Sequence, residues 1–129
     1  MPAPLFDRID TVILRVADYR TAAAWYQTHL ALEIAFDDPE ERLAVMGVGT
    51  GTSLTLWQWK PGENDRSADA ASAFPIFAAS DAAGRRERLA ASGVRCSELI
   101  AGEGVRYFTF WDLDGNRLEA CEVTEENGE

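Results

Sequence analysis

Two stretches of this chain follow the same plan, and that duplication limits the fold more than any other feature. An apolar strand pattern beginning at Ile9 meets Asp18 and a helix, and another beginning near Phe74 meets Asp81 and a helix. Thr11 stands seven residues before Asp18, as Phe74 does before Asp81; Thr55 follows Thr11 by 44 residues, and Glu119 follows Phe74 by 45. Matched spacing of this kind marks two copies of one supersecondary unit. A chain of 129 residues can bury one real core without needing two. The copies are therefore expected as halves of one domain over 1–129, with repeats 8–60 and 73–124 and a polar linker 61–72.

Within the first copy, Val12, Leu14 and Val16 alternate with Thr11, Ile13 and Arg15, the period of a half-buried strand. Asp18 is placed to cap a helix whose Ala22, Trp25, Tyr26 and Leu30 recur at helical spacing. Strands are expected at about 32–36, 42–47 and 53–59, separated by Asp37-Asp38-Pro39 and Gly49-Thr50-Gly51. The second copy reads as a strand over 74–80, a helix from Asp81 to about Ser92 stopped by Gly93, and strands at 94–99, 105–111 and 117–123. Asp112-Leu113-Asp114-Gly115 has the composition of a tight turn between the last two. The fold class is α+β: two βαβββ units, eight strands and two helices.

Acidic residues outnumber basic ones by 22 to 12, and a net charge of −10 disfavours nucleic-acid backbones and favours cationic ligands. Glu122, Glu125, Glu126 and Glu129 crowd the end of the chain and read as a solvated tail. No apolar run approaches the length of about 18 residues that a membrane span needs. The opening Met1-Pro2-Ala3-Pro4 has no basic region followed by an apolar stretch, so a cytoplasmic location is expected. Cys96 and Cys121 fit no Cys-x-x-Cys spacing, and no disulfide is expected.

The opening Thr11-Val12-Ile13-Leu14-Arg15-Val16-Ala17-Asp18, the helix Trp25-Tyr26-Gln27-Thr28-His29-Leu30-Ala31-Leu32 and the close Asp112-Leu113-Asp114-Gly115-Asn116-Arg117-Leu118-Glu119 together resemble the vicinal oxygen chelate superfamily. That superfamily contains glyoxalase I, bleomycin-resistance proteins, fosfomycin-modifying enzymes and extradiol dioxygenases, and the likeness covers about residues 8–123. It implies that the two units curl an eight-stranded mixed sheet into a cup, and that the protein is a homodimer. Metal-dependent members carry four ligands on the inner face, two from each unit. Carried onto this sequence, those positions are Thr11, Thr55, Phe74 and Glu119, and only the glutamate is a ligand type the family uses. One carboxylate and two neutral hydroxyls do not hold a divalent Lewis acid, and a phenyl ring offers no donor. The resemblance therefore implies no metal ligand and no cofactor here; a divalent metal enters only if the site is rearranged, with Glu33, Cys121 or a partner residue beside Glu119. The one histidine, His29, falls near a helix end and is read as structural.

If Thr55 points into the cup, strand alternation sends Ser53, Trp57 and Trp59 the same way and Leu54, Leu56 and Gln58 to the helix side. With Phe74, the tryptophans offer flat apolar surface suited to a planar or aromatic ligand or a cation, or they fill the cup or a dimer interface. Arg15 shares the face of Thr11 and Ile13, where glyoxalase I has an arginine that grips a glutathione carboxylate; an ion pair with Glu119 is the other role open to it. Cys121, two residues after Glu119, shares that residue's face and reads as a small lining thiol.

The expected ligand-binding set is thus Thr11, Ile13, Arg15, Ser53, Thr55, Trp57, Trp59, Phe74 and Cys121, with Glu119 as the candidate catalytic acid or base. The first functional expectation is a metal-independent protein of the bleomycin-resistance type that sequesters a small molecule without changing it. The alternatives are a metal-dependent lyase or dioxygenase with a rearranged site, and a metal-free acid–base enzyme using Glu119. Exposed aromatics expected at Trp59, Tyr107 and Trp111 fit a buried dimer interface.

Overall fold

A computed structural model describes residues 4, 5, 7–49, 51–63 and 73–124. The chain divides into two compact units, Met1–Asn64 and Asp65–Glu129. Residues 64–72 of the expected linker, and Glu125, Glu126 and Glu129 of the acidic tail, lie outside the described residues.

The first unit runs β1 (Thr11–Val16), α1 (Tyr19–Leu30), β2 (Glu33–Asp38), β3 (Leu43–Gly47) and β4 (Ser53–Gln58). Its four-stranded sheet has the order β1-β4-β3-β2, with β1 parallel to β4 and the other pairs antiparallel. Asp18 caps α1 by accepting the Thr21 amide, and Ala31 closes it in the left-handed region at φ 57°. The alternation read from the sequence decides the packing: Leu14, Val16, Ala44, Met46, Leu54 and Leu56 are buried, and so are Tyr19, Ala22, Ala23 and Tyr26 of the helix that covers them.

The second unit repeats this plan: β5 (Ile76–Ala78), α2 (Ala82–Ala91), β6 (Ile100–Gly102), β7 (Val105–Trp111) and β8 (Arg117–Val123), with sheet order β5-β8-β7-β6. Again the first strand is parallel to the last, and Asp81 caps the helix through the Gly84 amide. Phe108, Phe110, Leu118 and Ala120 are buried with Ala82 and Leu89 of α2.

Duplication reaches the register. Ile13 lies opposite Thr55 and Val45 lies opposite Thr55; Ile76 lies opposite Glu119 and Thr109 lies opposite Glu119. Thr55 and Glu119 therefore hold the same position in the two sheets.

Several boundaries differ from the sequence reading for identifiable reasons. The strand expected over 74–80 is shortened to Ile76–Ala78, because Pro75 has no N–H to give the ladder and only its carbonyl pairs, with the Glu119 amide. The strand expected at 94–99 is only a single bridge, Cys96 to Phe110, and the regular strand comes later at Ile100–Gly102. At Ser97 the Thr109 amide is taken by the serine hydroxyl, while the Ser97 carbonyl is taken by Arg86 Nε of α2, so the backbone ladder is interrupted there. The β2 strand continues through Asp37 and Asp38, and the turn falls after them, with the Asp38 carboxylate accepting the Glu41 amide and Arg42 at φ 61°.

Candidate functional site

The face of each sheet that turns away from its helix carries the residues singled out from the sequence. In the first unit these are Thr11, Ile13 and Arg15 on β1 and Ser53, Thr55 and Trp57 on β4, with Thr11 opposite Ser53, Ile13 opposite Thr55 and Arg15 opposite Trp57. The hydroxyls of Thr11 and Thr55 lie 2.8 Å apart and hydrogen-bond each other, and Thr11 also donates to the Ser53 carbonyl at 3.2 Å. Thr55 is buried, whereas Ile13 is half exposed at 50%.

Arg15 is held by contacts within its own unit. Its guanidinium carbon sits 4.8 Å from the centre of the Trp57 ring and 4.5 Å from that of Trp59. Its Nε donates to the Trp57 carbonyl, and Nη2 donates to the Gln58 carbonyl and pairs with Glu63 at 2.5 Å. The same Glu63 oxygen accepts the Lys60 amide at 2.6 Å. Those two contacts, the Lys60 amide first and Arg15 second, hold the Glu63 carboxyl below its ordinary range. Trp57 also donates from Nε1 to the Glu41 carbonyl, and Lys60 Nζ lies 5.3 Å from its ring. The aromatic surface expected to receive a cation thus already holds one from the chain itself.

In the second unit Phe74 precedes β5, and the Arg117 guanidinium stacks 4.1 Å from its ring centre. Arg117 Nη2 approaches Glu119 Oε1 at 3.8 Å, outside hydrogen-bond reach, and Arg117 Nε is buried with no hydrogen-bond partner among the described residues. The Glu119 side chain is 13% exposed with an arginine beside it. Cys121 lies opposite Tyr107 on the same face and is half-buried. Arg117 is a residue the sequence reading passed over, although its place two residues before Glu119 on one strand was sufficient to put it on that face.

Other expectations resolve more simply. Trp59, Tyr107 and Trp111 are half-buried where exposure was expected, and Arg95 lies 3.9 Å over the Trp111 ring. His29 sits at the end of α1 with its ring 4.9 Å from Trp25. Glu122 belongs to β8 and accepts the Ala82 amide at the start of α2, so it is not part of a free tail. Asp112 is buried and accepts from the Asp114 and Asn116 amides and from Asn116 Nδ2, which fixes the β7–β8 turn.

The donor set does not fit a catalytic metal. In the first unit the two threonine hydroxyls bond each other; in the second the Phe74 position presents a ring and Glu119 faces a cation. Among the described residues no three His, Cys, Asp or Glu side chains converge as a metal site. No described helix is long and apolar enough to cross a membrane.

A family model described as the Glyoxalase/Bleomycin resistance protein/Dioxygenase superfamily matches residues 8–120. Among solved structures, TnmS3, an antibiotic binding protein from Streptomyces sp. CB03234, is 21% identical, with TM-score 0.78 over 94% of this chain and 99% of its own. A superfamily member from Sphaerobacter thermophilus DSM 20745 is also 21% identical, with TM-score 0.78 over 92% of this chain and 99% of its own. An integron cassette protein from the mobile metagenome of the Halifax Harbour sewage outfall is 19% identical, with TM-score 0.77 over 92% of this chain and 100% of its own. No curated protein sequence matches the chain.

Proposed function

Since this chain belongs to the glyoxalase/bleomycin resistance protein/dioxygenase superfamily, we propose that it is a metal-independent binding protein that sequesters a planar or aromatic small molecule on the helix-free faces of its sheets. The observation that carries this reading is the chemistry at the four positions where metal-dependent relatives place ligands. Thr11 and Thr55 close on each other through a 2.8 Å hydrogen bond, Phe74 is capped by Arg117, and Glu119 is left with that arginine as its charged neighbour. A Lewis acid needs several nitrogen or oxygen donors and an open position for substrate, and this set supplies one carboxylate.

What remains on those faces suits recognition. Trp57, Trp59, Phe74, Ile13 and Ile76 provide apolar surface, and both isoleucines are at least half exposed, at 50% and 56%. The likeness to TnmS3, an antibiotic binding protein, supports ligand capture as the use of such a fold. The test is titration of chelator-dialysed protein with a panel of planar aromatic antibiotics, followed by calorimetry and tryptophan emission. Saturable binding with the compound recovered unchanged is expected. Stoichiometric transition metal surviving dialysis, or turnover of a bound compound that depends on such a metal, overturns the reading.

A further inference from the structure

The two sheets share one register but differ in how their polar groups are satisfied. In the first unit Thr11 and Thr55 bond each other, and Arg15 spends its donors on two backbone carbonyls and Glu63. At the register position of Ser53 in the second unit, Arg117 donates no hydrogen bond to a described residue: it stacks on Phe74, its Nε is buried with no partner among the described residues, and its nearest carboxylate oxygen is 3.8 Å away. Glu119 likewise accepts no side-chain hydrogen bond from a described residue. A rigid donor fork and an acceptor stand side by side, close enough to neutralise one another and too far apart to use up each other's hydrogen-bonding capacity.

We propose that Arg117 and Glu119 form a paired donor–acceptor subsite that recognises a neutral amide-like group on an aromatic ligand, its carbonyl oxygen accepting from Arg117 and its N–H donating to Glu119. The Phe74 ring holds the guanidinium plane in place, which removes much of the rotamer freedom an unanchored arginine loses on binding. The exposures fit a contact surface: the Arg117 side chain is 36% exposed and that of Glu119 13%. Charge selects among ligands. A carboxylate that pairs with Arg117 meets Glu119 at the same spot, and a cation that pairs with Glu119 meets Arg117, whereas a group carrying one acceptor and one donor satisfies both without like-charge contact. This deepens the binding reading above and rests on it.

The test uses the full chain and four probes: benzamide, its near-isosteres benzoate and benzamidinium, and N,N-dimethylbenzamide, which lacks the N–H. Binding is followed by chemical shift in the arginine Nε–H region, where the signal lost in Arg117→Met identifies Arg117. Benzamide is expected to bind about tenfold more tightly than each of the others, since a charge-assisted hydrogen bond is made or lost between them, and to move the Arg117 signal. Glu119→Gln, which preserves shape, is expected to erase the preference for benzamide over benzoate, and Arg117→Met to reduce benzamide to the level of its dimethyl analogue. Equal binding of the four probes, a preference for either charged probe, or an unchanged preference in Glu119→Gln overturns the subsite while leaving aromatic binding intact. Failure of all four probes to bind overturns both.

Discussion

Replacing Arg15 tests whether the first unit holds its own cation between two indoles. The guanidinium lies 4.8 and 4.5 Å from the Trp57 and Trp59 ring centres, donates to two carbonyls and pairs with Glu63, while its side chain is 24% exposed. Each ring contact at a partly solvated place is worth about 0.5–1 kcal/mol. Each neutral-acceptor hydrogen bond adds about 1 kcal/mol net, and a pair as exposed as Arg15–Glu63 adds little to that. These overlap, because one guanidinium makes them all, so Arg15→Met is expected to destabilise the protein by about 2–3 kcal/mol. Arg15→Lys keeps a cation near the rings but loses the planar fork, and should fall about midway. Urea unfolding followed by circular dichroism gives the stability, and tryptophan emission at native conditions reports the release of the two rings. Arg15→Met that unfolds within about 0.5 kcal/mol of the parent, the scatter of ordinary surface substitutions, with unchanged emission, would refute the sandwich.

Asp112→Ala removes the acceptor for two backbone amides and the Asn116 amide in a buried turn, and should cost about 2–4 kcal/mol in urea unfolding, with Asp112→Asn recovering part of it. Because the Lys60 amide and Arg15 lower the folded-state pKa of Glu63 below its ordinary 4.5, the stability this residue contributes is complete above that pH and is lost as pH falls through the depressed value. The stability difference between parent and Glu63→Gln should accordingly be constant near neutrality and close in acid; a gap that widens on acidification contradicts the assignment. At the start of α2, Glu122→Leu should cost about 1–2 kcal/mol and speed exchange of the Ala82 amide, while Glu122→Gln should leave both nearly unchanged.

The parts of this protein that the sequence made legible are those where one residue type has one physical use. Alternation sorted Leu14, Val16, Leu54 and Leu56 from Thr11, Arg15, Thr55 and Trp57 without error, because a strand has only two faces. Asp18 and Asp81 were legible as caps for the same reason. Partners chosen among several side chains on one face were not. The contacts Arg15 makes with Trp57, Trp59 and Glu63, the last from a turn beyond the strand, were not foreseen. Likewise the shift of the strand expected at 94–99 depends on the Ser97 hydroxyl and on Arg86 of α2, two contacts invisible to a pattern of apolar residues.

What the duplication has held constant is a set of backbone obligations more than a set of core side chains. In both units the third helical amide is taken by an aspartate cap, Thr21 by Asp18 and Gly84 by Asp81. In both, the first helical amide is taken by a side-chain oxygen from the helix face of the last strand, Tyr19 by Gln58 and Ala82 by Glu122. Amides at a helix start have no carbonyl within the helix, so a unit that lost these oxygens would leave them to solvent or unsatisfied. The helix-free faces carry no such obligation, since there the ladder itself satisfies the backbone. Side chains on them can change without disturbing the register, which is how Thr55 and Glu119, or Ser53 and Arg117, come to occupy one geometry with different chemistry. The two units therefore agree in the oxygens that meet the helix amides, while the helix-free faces differ, as do core positions such as Leu56 and Ala120.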